Sequence, residues 1–194
     1  MIDGKLRTVR TSLTEFQARD QEGEAPTIEG YFSVFNSIYE IAPGMTESVA
    51  PGAFSRSLQG GDVRALITHD STLVLGRTKA HTLELHEDER GLWGKIQVNP
   101  NDRDAMNLYE RVKRGDVDQC SFGFVIVKEE TDFRDDGSVH WTIQDVDLFE
   151  VSPCTFPAYE ETSLKARSMQ RDDLQKRSLD AWKTKTMEVL NKWH

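Results

Sequence analysis

The sequence predicts a mainly β protein with few helices, an α+β domain carrying a helical C-terminal tail. Three observations predict it. Several short stretches alternate apolar and polar residues between turn signals at fairly even spacing, the pattern of a barrel or sandwich. One segment of the body, residues 101–114, has the caps and charge order of a helix. From residue 163 onward the pattern becomes helical, with Leu179, Trp182, Met187, Leu190 and Trp193 near one face.

Taken in order, residues 1–26 are polar and weakly patterned, a loosely ordered arm with one short strand near 7–13. TIEGYFSVFN at 27–36 reads as a strand. Pro43-Gly44 and Pro51-Gly52 make 41–52 a loop, with a short helix expected at 53–58. VRALITH at 63–69 and LVLGR at 73–77 read as strands, and 81–86 and 92–98 as a hairpin across EDERG. In 101–114, Asn101 or Asp102 can cap the start, acids come early, Lys113 and Arg114 come late, and Gly115 ends the helix. Strands at 120–128 and 140–151 flank the turn sequence RDDG at 134–137, and Pro153 and Pro157 then break the pattern. The tail at 163–194 is one or two amphipathic helices, with Ser178 a candidate cap.

The 194 residues suffice for one domain with a proper core. A net charge of −9 disfavours general nucleic-acid binding. The charge is uneven. Residues 163–194 hold eight Lys/Arg against four Asp/Glu, and the rest holds 16 against 29, so a basic tail follows an acidic body. No apolar run approaches the roughly 20 residues that span a bilayer, and the N-terminus lacks the apolar region of a secretory signal. Cys120 and Cys154 form no CxxC pair, which argues against a zinc site or disulfide framework and fits a reducing compartment.

The candidate chemistry lies in three places. In QCSFGFV at 119–125, strand alternation puts Ser121 and Gly123 on one face and Cys120, Phe122 and Phe124 on the other. Ser121 is then either a core hydroxyl bonded to a carbonyl or a nucleophile. Gly123 either marks a bulge or leaves clearance for a substrate backbone beside it. His69 extends the row Val63, Ala65, Ile67, so it is a satisfied rim histidine or a general base. Asp70, its neighbour, points to the opposite face and is badly placed to orient it, though it can bond the local backbone. Glu150 follows Val146 and Leu148 on one face, where an ionised carboxylate is costly unless paired; a strand-end glutamate reaching solvent is the alternative. His81 and His86 face opposite sides of one predicted strand, His140 is expected exposed, and Cys120 belongs to the core. No phosphate loop or metal-ligand cluster is present in the sequence, so no cofactor and no metal are expected.

These segments, in this order, resemble the prohead (capsid-maturation) proteases of tailed phages, a family related in fold to the herpesvirus protease assemblin. The resemblance runs from about residue 30 to 159. It rests on GYFSVFN at 30–36, PGAFSRSL at 51–58, THD at 68–70, VLGR at 74–77, CSFGF at 120–124 and FEVSPCTFPAY at 149–159. Each is short; the ordered set is far more specific.

The resemblance implies an assemblin-like β-barrel flanked by helices, with 27–162 as the protease domain. It implies a serine endopeptidase whose histidine is His69 and whose serine is Ser121. Assemblin has a second histidine as its third member. This chain has none in that segment; Glu150 is the matching acid and Ser152 a minor competitor. The implied substrate is the major capsid protein or its scaffolding segment, cut inside the immature phage head in the host cytoplasm. A homo-oligomer, such as a dimer, is implied too, with no specific nucleic acid and no membrane. The tail would serve as a docking or self-cleaved segment. The contrasting reading is a non-catalytic scaffold or assembly protein on the same fold.

Overall fold

The architecture comes from a computed structural model that describes residues 6–11, 16–19, 25–155 and 161–191. The chain order is β1 (Leu6–Thr11), β2 (Gln17–Arg19), β3 (Thr27–Val34), β4 (Tyr39–Ala42), β5 (Met45–Val49) and α1 (Ser55–Leu58). It continues with β6 (Arg64–Ile67), β7 (Asp70–Arg77), β8 (Leu83–Glu87), β9 (Gly91–Gln97) and α2 (Arg103–Arg114). The last elements are β10 (Gln119–Phe133), β11 (Val139–Cys154) and α3 (Glu161–Asn191).

The strands form two sheets. One has seven strands, with β1-β10-β11-β5-β4 as its spine and β6 and β7 attached at the far end of β11. The other runs β2-β3-β9-β8. The α+β class holds, but the sheets are not closed into a barrel: the expected closure is replaced by two sheets facing each other across a core. Ile28, Phe32, Leu92 and Ile96 of the smaller sheet meet Ala65, Phe122, Phe124 and Val151 of the larger one, all buried. Phe122 packs edge-on against Phe54 at 5.3 Å and stacks on Phe124 at 4.9 Å between ring centroids. Such pairs add about 0.5–1.5 kcal/mol beyond area burial.

α2 forms for local reasons. The Asp102 carboxylate accepts the N–H groups of Asp104 and Ala105 at 2.9 and 3.2 Å, and Gly115 closes the helix in the left-handed region at φ 83°. Ala105, Leu108, Tyr109 and Val112 are its buried face. By contrast, the expected loop at 41–52 contains a hairpin. Ala42 pairs with Met45, so Pro43-Gly44 is a two-residue turn, with Gly44 at φ 73°. Punctuation read as a loop was the turn between two strands.

β11 organises the larger sheet. One edge pairs with β10 throughout. The other pairs first with β5 (139–143) and then with β6 (150–151), both parallel. The strand also runs through Pro153 to Cys154, past the break expected there.

The tail is one helix, and Ser178 lies inside it. Arg167 anchors it to the hairpin. Its guanidinium is fully buried, bonds Glu47 through Nε at 3.0 Å, lies 2.8 Å from Glu129 and covers the Trp141 ring at 4.4 Å. Leu174 adds to the cluster of Met45, Val139 and Trp141. Further along, Leu179, Trp182 and Met187 are exposed. No helix among the described residues is long and apolar enough to cross a membrane.

Candidate active site

β10 and β11 bring Ser121 and Glu150 to one face, by a route that alternation alone does not give. Ser121 pairs with Ser152, Phe122 with Val151 and Gly123 with Glu150, but Phe124 pairs with Leu148. Phe149 is therefore an extra residue, a β-bulge. One added residue reverses the side on which every later side chain emerges. Before the bulge Val146 and Leu148 face the core; after it Val151 does, and Glu150 and Ser152 turn to the side of Ser121 and Gly123. The expected shared row of Val146, Leu148 and Glu150 is thus corrected. Without the bulge the carboxylate would be aimed at the phenylalanines.

The backbone next to the bulge is satisfied by α1. Ser57 Oγ accepts the Leu148 N–H at 2.9 Å and donates to the Val146 carbonyl. Ser57 is buried, and an unpaired N–H there costs about 1–3 kcal/mol.

His69 does not continue the row of β6, which ends at Ile67. Ile67 pairs with Asp70, so Thr68 and His69 are the two residues of a tight turn. Both have positive φ, 50° and 63°. That is the sign pattern of a type I′ turn, normally made by Asn and Gly. A β-branched threonine there is an outlier, at a cost of about 1–3 kcal/mol for each strained residue. The turn is clamped to β11: Thr68 N–H donates to the Pro153 carbonyl and His69 N–H to Ser152 Oγ, each at 3.2 Å. Asp70 turns away and accepts the N–H and hydroxyl of Thr72 at 2.8 and 2.6 Å.

The turn aims the imidazole at Glu150. His69 Nδ1 lies 2.6 Å from Glu150 Oε1. An ionised carboxylate only accepts, so Nδ1 carries the proton and Nε2 the lone pair. Nε2 is buried and has no hydrogen-bond partner among the described residues. Glu150 is 6% exposed, and its other oxygen accepts the Ser152 hydroxyl at 2.6 Å. Ser121 is fully buried, directly across the ladder from Ser152. The fold thus joins His69 to Glu150 and sets Ser121 on the same face, two rungs along the ladder from Glu150. Such an arrangement can take a proton from a hydroxyl through Nε2 while the carboxylate steadies the resulting cation.

Gly123 makes room for this pair. A Cβ built there would lie 2.6 Å from both Glu150 Oε1 and the Phe149 ring. Clearance at Gly123 is occupied by the protein's own carboxylate and ring. Cys120 faces the core, where burial pushes its thiol well above its ordinary value. It stays protonated and donates to the Phe32 carbonyl at 3.3 Å. His140, expected exposed, is half-buried between Thr46 Oγ1 at 2.8 Å and Ser48 Oγ at 2.9 Å, because it pairs with β5. His81 ends a short 3₁₀ turn, and His86 lies 4.7 Å from Trp93 between ring centroids.

Sequence reasoning named Ser152 only as a minor competitor of Glu150 and missed the Thr68–His69 turn. The turn carries no Asn or Gly to announce it. Ser152 gains its role through the bulge, for which no local sequence signal stands out.

The family model described as caudovirus prohead serine protease matches residues 13–177. The prohead protease of Enterobacteria phage HK97 is 32% identical over 148 residues, covering 75% of this chain and 61% of that protein. The chain therefore spans less than two thirds of that relative's length. The solved capsid assembly protease of bacteriophage T4 superposes with a TM-score of 0.52 at 11% identity, covering 80% of this chain and 99% of that one, a likeness of fold. With the family model spanning most of its length, the chain belongs to the caudovirus prohead serine proteases.

Proposed function

We propose that this protein is a serine endopeptidase that cuts the major capsid protein, within its scaffolding segment, during maturation of a phage head. The observation that carries the reading is the 2.6 Å contact of His69 with Glu150, on the face that bears Ser121. Family membership sets the biological context.

In this mechanism His69 Nε2 takes the proton of Ser121 as its Oγ attacks the scissile carbonyl carbon. Glu150 holds the Nδ1–H and stabilises the imidazolium that forms. The tetrahedral intermediate collapses, the C–N bond breaks and His69 passes its proton to the leaving amine. Water, deprotonated by His69, then hydrolyses the acyl-enzyme and restores the Ser121 hydroxyl.

Any self-cleavage falls beyond Leu174, in the part of α3 where Leu179, Trp182 and Met187 are exposed. A cut before Arg167 would remove the fully buried guanidinium that bonds Glu47 and ties α3 to the sheet. Intact-mass measurement during assembly reads the cut site directly. A stable product ending before Leu174 contradicts this placement.

A fluorophosphonate probe tests the enzyme reading. The expected result is one adduct, on Ser121, that is lost in His69→Ala. An adduct on another residue, or none in a sample assembling with capsid protein, contradicts it.

A further inference from the structure

Ser152 contacts both members of the His69–Glu150 pair. It is fully buried, yet its hydroxyl has two polar partners. It donates to Glu150 Oε2 at 2.6 Å and accepts the main-chain N–H of His69 at 3.2 Å. The first bond fixes the carboxylate. A glutamate's terminal torsion is broad, so a carboxylate held by one oxygen can swing. Here Oε1 meets His69 and Oε2 meets Ser152, and the plane is pinned from both ends.

The second bond fixes the base. His69 stands in the left-handed region beside a threonine in the same region, a turn that persists only where its surroundings over-determine it. The Ser152 hydroxyl and the Pro153 carbonyl are the β11 groups that receive the N–H groups of this turn. Ser152 is in place because the bulge at Phe149 moves it, with Glu150, onto the site face.

We infer that Ser152 is a positioning residue, whose hydroxyl locks the Glu150 carboxylate and the His69 turn into one unit. This rests on the proposed roles of His69 and Glu150. Its hydroxyl proton is committed to Glu150 and its acceptor side to His69, so Ser152 is not a second nucleophile. It acts on Ser121 through the pair.

Ser152→Ala tests this in the full chain with two readouts and thermal unfolding as a fold control. The first is the rate at which a fluorophosphonate acylates Ser121. It should fall on the order of 10- to 100-fold, the scale of a misplaced catalytic group. The second is the titration midpoint of His69, followed by NMR of the ring Hε1. It should differ from the wild-type midpoint, because the hydroxyl that holds the Glu150 carboxylate against the ring is gone.

A folded Ser152→Ala protein with an unmoved His69 midpoint overturns the inference, whatever its rate. A moved midpoint with an unchanged acylation rate overturns it as well. If the variant does not fold, Ser152→Cys is measured instead, because its thiol is a much weaker donor in the same space. If wild type itself never labels at Ser121, the protease reading fails. The His69 midpoint then decides by itself whether Ser152 positions the pair.

Discussion

His69 Nδ1 meets Glu150 Oε1 at 2.6 Å although 81 residues separate them in the chain. The contact needs two local irregularities at once, a bulge at Phe149 and a left-handed turn at Thr68–His69. If the carboxylate fixes the tautomer and stabilises the imidazolium, Glu150→Gln should lower kcat on the order of 10²- to 10⁴-fold. Capsid-peptide cleavage kinetics check this. KM should change little, since Glu150 is nearly buried and touches the base. A variant that retains most of its kcat would remove Glu150 from the mechanism.

Gly123→Ala should be nearly as damaging without touching a reacting group. Its Cβ would fall 2.6 Å from Glu150 Oε1 and from the Phe149 ring. The carboxylate must shift, and a misplacement of about 1 Å can cost on the order of 100-fold. The measurement is kcat together with the melting temperature. Wild-type kinetics in Gly123→Ala would mean that the carboxylate's position is not critical.

Arg167→Ala should destabilise the domain by about 3–5 kcal/mol, because it removes the buried guanidinium that bonds Glu47 and covers the Trp141 ring. Glu47 and Arg167 are 1% and 0% exposed. Replacing both, as Arg167→Met with Glu47→Leu, should recover much of the loss. Chemical denaturation of the three proteins tests it. Equal stability of Arg167→Ala and wild type would show that α3 is not anchored by this pair.

Asp62 gives a pH signature away from the site. The hydrogen bond from Arg77 holds its carboxyl down, to about 2, with Arg64 and Lys79 contributing. The folded value lies below the ordinary carboxylate value near 3.9. Its stabilisation is therefore present above about pH 4 and fades as the pH falls toward 2. Melting temperatures of wild type and Asp62→Asn should differ most above pH 4, converge near pH 2 and converge also at high salt. A gap that widens as pH falls would reverse the assignment.

How much of this was legible in the sequence depends on the range of the forces involved. α2 was legible because its signals are local: Asp102 caps, Gly115 stops, and the apolar face repeats. The β8–β9 and β10–β11 hairpins were legible from alternation and turn residues. The β4–β5 hairpin was not, because its short strands surround a Pro-Gly turn that looks like a loop. The two-sheet arrangement depends on which edges pair, and alternation is silent on that.

At the site, alternation placed Ser121 correctly opposite Phe122 and Phe124 but misplaced Glu150 and His69. Counting by twos fails across an inserted residue, and strand logic fails where a histidine closes a turn. The three residues were named from patterning and motif order; the bulge and the turn that bring His69 to Glu150 are tertiary properties.

In the proposed mechanism Ser121 is the nucleophile for capsid processing. Co-expression of the cognate capsid protein with wild type or Ser121→Ala, read by intact mass of the capsid chain, tests it most directly. Wild type should yield a shortened capsid protein and Ser121→Ala a full-length one, both proteases being equally folded. Capsid protein still shortened at the same site by Ser121→Ala would contradict it.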